Sequence, residues 1–294
     1  MKKGFFCTVA LLLTMMITGV SAGTSVFTQN VYAASYDDFD DDDFDDDDFD
    51  EDDEDFDDWD EFEDEEEDDE DIDLPAIGTS LYDKASNAWY KVIAIEEETE
   101  TALLEYVRPN DKAASTVVIP EDVEVEDDLY EVIKVANNAF LNNKAVKKVV
   151  ISDYVRSIGN NAFKGCGKLT TVTMGKDVET IGASAFENCP KLKNLTLGKN
   201  VETIGEKAFK KCTSLTKVTL SKTVTRIGKQ AFCGDKQLKN VTIKSNKYTA
   251  KTMGKQAFKD IHKKAVIKVP AKKAASYKQV LKNAGISGKN QKIK

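Results

Sequence analysis

Histidine is nearly absent. The 294-residue chain has one, His262, in the lysine-rich stretch "DIHKKA". No Ser–His–Asp or Cys–His pattern accompanies it, so the usual nucleophile–base arrangements are excluded. Glycine-rich phosphate loops and cysteine–histidine clusters with zinc-ligand spacing are also missing. Lysine and arginine are wholly absent from residues 37–73. After residues 5–23, no apolar run long enough to span a bilayer occurs. Wall-sorting signals and aromatic repeats of the choline-binding type are missing as well. These absences argue against an enzyme and call for no cofactor.

What is present is unevenly distributed. Met1-Lys2-Lys3 is followed by "FFCTVALLLTMMITGV" and then by the cleavage patterns Val20-Ser21-Ala22 and Val31-Tyr32-Ala33, each ending in a small alanine. Basic, apolar, then small is the layout of a secretory signal peptide, here residues 1–33. An uncleaved anchor is the alternative reading; two plausible cleavage sites favour removal, leaving no transmembrane segment. Cys7 lies in the apolar run without a lipobox-like context, so no lipid anchor is expected. The chain is expected to be secreted or held at a bacterial cell surface.

Residues 37–73 hold 30 Asp or Glu among 37 positions. Such a segment cannot bury enough apolar surface to offset charge repulsion and ordering entropy, so a disordered acidic spacer is expected over 34–77. It hides the charge of the rest. Residues 134–294 contain 35 Lys+Arg and 8 Asp+Glu, a net of +27, within a chain whose overall charge is −11.

A repeat dominates that basic part. An Ala-Phe pair recurs with Phe140, Phe163, Phe186, Phe209, Phe232 and Phe258, at intervals of 23, 23, 23, 23 and 26. Ile-Gly precedes it at Gly159, Gly182, Gly205 and Gly228. Alternating apolar pairs follow it, such as Val172 and Met174, then Leu195 and Leu197. Period-two alternation means short strands with one buried face. Gly permits a turn or a close backbone approach. One unit cannot bury its apolar face alone, but a stack can.

Units of the form L-x-x-V-x-L followed by V-x-x-I-G-x-x-A-F-x-x-C resemble the BspA-type leucine-rich repeats of bacterial surface proteins, over about 132–269. The resemblance implies a β-rich solenoid of 23-residue units. Residues 78–131 resemble the family's strand-rich N-terminal lead-in. Residues 271–294 resemble its C-terminal helical cap and tail, after a solenoid at 132–270. Ala274, Tyr277, Val280 and Leu281 share one face of that helix, and Gly285 suits its C-cap. The resemblance also implies an exported, adhesin-like binding protein that recognises host or bacterial surface macromolecules. The alternative is a structural or charge-modulating envelope protein without a specific partner.

Cys166, Cys189 and Cys212 share one phase. Stacked ~4.8 Å apart, they form a line rather than a tetrahedral cage, so a buried thiol ladder is expected, with neither metal nor disulfide. Together with the six Phe residues they form the repeat's structural core. Cys233 occupies a phase that is otherwise polar (Lys164, Glu187, Lys210, Lys259), so it is expected to be exposed. As a candidate binding strip, Thr173, Thr196, Thr219 and Thr242 point outward from the strands, and Lys176, Lys199 and Lys222 follow in phase. A plain solvated face explains the same residues.

The partners that suit the charge are a protein or an anionic polymer at a cell surface. Nucleic acid matches electrostatically, but export makes it an unexpected target. The chain's own acidic segment is another candidate, as a competitive shield. That segment could instead hold Ca²⁺ loosely or serve as a solubilising spacer. A six-strand face spans on the order of 300 Å², below the ~800 Å² per partner of a standard interface, so tight binding needs more surface or multivalency.

Overall fold

The computed structural model describes residues 74–294, except 97, 100, 127 and 287–289. The signal peptide and nearly all of the acidic spacer lie outside the described residues.

Strands β1 (Ser80–Asp83), β2 (Ala88–Glu96) and β3 (Thr101–Pro109) form an antiparallel meander. β4 (Thr116–Ile119) follows, then a hairpin of β5 (Asp122–Val125) and β6 (Asp128–Val135). The chain then coils through longer and shorter strands in alternation. They are β7 (Lys148–Ile151), β8 (Ser157–Ile158), β9 (Thr171–Thr173), β10 (Thr180–Ile181), β11 (Asn194–Thr196), β12 (Thr203–Ile204), β13 (Lys217–Leu220), β14 (Arg226–Ile227) and β15 (Asn240–Ile243). The last coil carries β16 (Val266–Lys268), a 3₁₀ turn, helix α1 (Ala274–Asn283) and β17 (Lys292–Ile293). The result is a β-solenoid of about 7 turns with repeats of about 23 residues and a single C-terminal helix.

Each coil has two strand arms. The longer strands build two successive parallel ladders, β4–β7–β9–β11 and β13–β15–β16–β17. The shorter ones continue from β6 through β8, β10, β12 and β14, with Ile158, Ile181, Ile204 and Ile227 in register. The lead-in joins this array directly. β3 pairs in parallel with β6, and β4 with β7.

Aromatic rings fill the lumen. Phe140 through Phe258 stack at centroid separations of 4.8–5.3 Å with planes within 10°. Tyr106, from the lead-in, sits on Phe140 at 5.5 Å as a further rung. All seven rings are buried. The Ile-Gly step has a steric cause. A Cβ at Gly182 would lie 2.7 Å from the Gly159 carbonyl carbon, and one at Gly205 would lie 2.6 Å from that of Gly182. Only glycine lets the coils approach so closely. Ala-Phe is also bracketed by left-handed residues, such as Lys207 (φ 58) and Lys211 (φ 63) around Phe209. They turn the chain sharply on either side of the ring.

The strand leucines depart from expectation. Leu195 and Leu197 are half-buried, whereas Val172, Met174, Val218 and Leu220 at the same phases are buried. They lie where the ladder divides between β11 and β13 into two four-stranded sheets. A strand that lacks a bonded neighbour on one side loses part of its cover there.

Helix α1 closes the last coil. Ile286 N–H donates to Leu281 O, and Gly285 N–H donates to Lys282 O, with Gly285 at φ +96. This is a Schellman stop. Tyr277 and Leu281 face the core. The Tyr277 hydroxyl donates to Ser245 O (3.0 Å) and accepts the Tyr248 N–H (3.0 Å), which ties the cap to the preceding coil.

Candidate binding face

The thiol ladder lies under the coils. Cys166, Cys189 and Cys212 are buried, and each Sγ donates to the carbonyl of a Phe 26 residues earlier: Phe140, Phe163 and Phe186, at 3.1–3.2 Å. The neighbouring Cys189 and burial push the Cys166 thiol well above its ordinary range, and burial raises Cys212. All four described cysteines are free. These thiols therefore act as small core groups with satisfied S–H donors, and as poor nucleophiles.

Cys233 is a correction to the sequence expectation. It is buried, 8% exposed, and burial raises its thiol. The Lys164 and Lys210 side chains of that phase are only half-buried, since a long stem covers apolar surface while its ammonium reaches water. A cysteine is too short to follow, so its sulfur stays in the stem zone.

The remaining coils vary the ladder, with Asn143 in the first, Asp235 in the fifth and Ile261 in the last. Asn143 Oδ1 accepts the N–H groups of Ala145 and Val146. Asp235 is completely buried; its Oδ1 accepts the Cys212 N–H (2.8 Å), while Oδ2 has no protein partner. Burial raises its carboxyl well above the ordinary carboxylate range, against the opposing pull of that N–H. Burial, and then Lys239, Lys263 and Lys264, lower the pKa of His262. Its Nδ1 accepts the Lys264 N–H.

The outward face of the longer strands carries a different chemistry. Thr173, Thr196 and Thr219 are exposed and Thr242 is half-buried; Thr173 is in register with Thr196 and Thr219 with Thr242, one pair on each side of the ladder break. The lysines beyond them are not equivalent. Lys176 Nζ lies 3.2 Å from Asp153 and 3.5 Å from Asp177, and its N–H donates to Asp153 Oδ1. That N–H and the ammonium hold the Asp153 carboxyl below its ordinary range. Lys199 and Lys222 are exposed and form no ion pair among the described residues. The structure thus separates Lys176 from its two phase-mates.

A second lysine row escaped the sequence reading. Lys147, Lys193 and Lys239 enter the same strands in alternate coils, with Thr170 and Thr216 between them, linked by Lys193 N–H to Thr170 O and Lys239 N–H to Thr216 O. All three are exposed, as is Lys217 one residue further along its strand, and none is ion-paired among the described residues. Spacing the charges two coils apart, about 10 Å, brings their mutual repulsion close to the Debye length at physiological salt. The row is therefore inexpensive to hold and remains open to an anion. Its signal in the sequence is a 46-residue period, masked by the stronger 23-residue one.

Among the described residues, no group of three or more His, Cys, Asp or Glu could hold a metal ion, and no helix is long and apolar enough to cross a membrane. Fold and face together define a repeat scaffold with a polar, basic strand surface and a core of stacked rings and buried thiols. The family model of the BspA type leucine rich repeat region matches residues 133–273 in six copies. The solenoid of this chain belongs to that family, whose fold typically serves as a non-catalytic binding scaffold.

A leucine-rich repeat protein of T. pallidum has the same fold, with a TM-score of 0.52 and 21% identity over 72% of this chain and 100% of that one. A leucine rich cell surface protein of Faecalibacterium prausnitzii matches with a TM-score of 0.50 and 25% identity over 67% of this chain. This chain spans 55% of the length of that protein. No curated protein matches.

Proposed function

We propose that this protein is an exported, adhesin-like binding protein. It presents the outward face of its longer strands to acidic macromolecules at a host or bacterial surface. The observation that carries this reading is the unpaired lysine row, Lys147, Lys193 and Lys239, beside the exposed Thr173, Thr196 and Thr219. Lysines supply attraction, and threonine hydroxyls supply hydrogen bonds in a fixed register. The net +27 of residues 134–294 adds long-range steering. The cell-surface description of the F. prausnitzii relative supports the location.

The test is binding to an immobilised sulfated glycan and to a wall-type anionic polymer. Lys147→Glu/Lys193→Glu/Lys239→Glu should weaken binding at least about tenfold, an effect of ~1.4 kcal/mol, and flatten its salt dependence. Equal affinity in the variant would reject the face and favour a charge-modulating envelope protein without a specific partner. The acidic segment serves as a competitive shield in this reading. Deleting residues 37–73 should then raise affinity at low salt, and unchanged affinity would remove the shield.

A further inference from the structure

The two ends of the solenoid are open on the same arm and opposite in charge. At the head, the shorter-strand arm is closed by the β1–β3 meander, but β4 ends the longer-strand ladder with nothing bonded beyond it among the described residues. Lys148 N–H donates to Ser115 O and Ser152 N–H donates to Ile119 O. In a parallel ladder alternate residues face opposite ways. Thr116 and Val118 therefore turn their backbone groups away from β7, and neither bonds elsewhere among the described residues. At the tail, α1 closes the shorter-strand arm, and β17 ends the longer-strand ladder, with half-buried Ile293 between exposed Lys292 and Lys294.

Charge separates along the same axis. Residues 74–133 hold 4 Lys+Arg and 14 Asp+Glu, a net of 4 − 14 = −10. Residues 251–294 hold 13 Lys and 1 Asp, a net of 13 − 1 = +12. The open edge of β4 borders a groove of about 1160 Å³ with Asp122, Glu124 and Glu126 on its rim. Val118 and Leu129 stand exposed there at 55% and 62%, the kind of apolar surface an end coil keeps uncovered.

We propose that this end is the docking site for the tail of a second copy, with β17 of one molecule adding in parallel to β4 of the next. Ile293 then joins the inward row of Val117, which gives both residues the cover a further coil would provide. Lys292 and Lys294 lie over the acidic rim. The contact is heterologous, so it propagates head to tail into short filaments rather than closing as a two-fold dimer. Unpaired strand edges are natural templates for such addition. Charge complementarity selects the tail over the head as the partner surface and makes the association sensitive to salt.

The experiment is sedimentation equilibrium of the full chain at low salt, repeated at about 0.5 M salt where the Debye length is only a few ångströms. The weight-average mass should rise with concentration past that of a dimer and return to the monomer in high salt. Val118→Pro removes an outward N–H that the folded molecule does not use, and Lys292→Glu/Lys294→Glu reverses the tail. Each variant alone should be monomeric. Their equimolar mixture should form dimers and nothing larger, because only one good head and one good tail remain per pair. If Val118→Pro disturbs the circular dichroism, Asp122→Lys/Glu124→Lys replaces it as the head variant. A monomer at every concentration, a plateau at dimer for the unaltered chain, or association that survives both variants overturns the proposal.

Discussion

Asp235 stands where three other coils place a hydrogen-bonded thiol, and this choice has a thermodynamic signature. Its Oδ2 is buried without a protein partner, so ionisation there is costly. A carboxyl whose folded pKa lies above its unfolded value binds more protons in the native state between the two values. The stability it supports is complete below the unfolded pKa, near 3.8, and falls as pH rises through the folded one. Asp235→Asn keeps the Oδ1 acceptor for Cys212 N–H and turns the other atom into a donor, as Asn143 does with its Nδ2 to Lys112 O. At pH 7 it should stabilise the protein by about 1–3 kcal/mol, with the gain vanishing near pH 4. Urea midpoints at both pH values measure this, and a pH-independent difference would refute it. The same burial governs the thiols. Without residues 1–33, none of the four cysteines should react with a thiol reagent before the protein unfolds; one rapidly reacting group would put Cys233 back at the surface.

At the scale of elements, coil spacing depends on the glycine steps and chain termination depends on α1. Gly182→Ala drives a Cβ to within 2.7 Å of backbone, so it should cost about 1–3 kcal/mol as coils are forced apart. Gly167→Ala, with nothing within 4 Å of its Cβ, should stay within about 0.5 kcal/mol of neutral. Thermal melts of the pair distinguish a steric role from a general intolerance of alanine. For the cap, Tyr277→Phe deletes one hydroxyl but strands two buried backbone groups, Ser245 O and Tyr248 N–H. Each unmade partner costs about 1–3 kcal/mol. Hydrogen exchange should accelerate over 245–253 and 274–286 while β7 and β9 keep their protection. Uniform acceleration would instead mean that the cap and body open as one unit.

For the molecule as a whole, the solenoid was legible because Phe, Gly and Cys recur at fixed phase, and a period needs no knowledge of contacts. What escaped depends on relations between coils. Tyr106 adds a rung to the Phe stack, but 34 residues separate it from Phe140 because the β5–β6 hairpin intervenes. Lys176 looked like its phase-mates until Asp153, one coil back, was seen beside it. Cys233 looked exposed because its neighbours in phase are charged, yet their stems are what lie inward. The ladder break between β11 and β13 is likewise invisible in the repeat, and it shapes how the molecule should unfold. Stability in a solenoid is a sum of coil terms and nearest-neighbour couplings. At the break, coupling rests on the shorter-strand arm, through β10, β12 and β14, on the backbone bonds of the Ala-Phe segments (Ser184, Phe186 and Asn188 N–H to Glu206, Ala208 and Lys210 O), and on the stacked rings of Phe186, Phe209 and Phe232. Phe209→Ala removes the ring there and should cost about 3–5 kcal/mol; it should also uncouple the two halves. In a Trp59→Phe background Trp89 reports on the head, where it packs against Tyr82 and lies under Arg108, whereas far-ultraviolet circular dichroism reports on all coils. In the unaltered protein the two urea transitions should coincide. In Phe209→Ala the dichroism transition should begin at lower urea than the fluorescence transition, with a smaller slope. Phe163→Ala, within the unbroken first ladder, should shift both probes together. Coincident transitions with an unchanged slope in Phe209→Ala would mean that the backbone bonds of the shorter arm and the Ala-Phe segments suffice to couple the coils, and that the break has no energetic consequence.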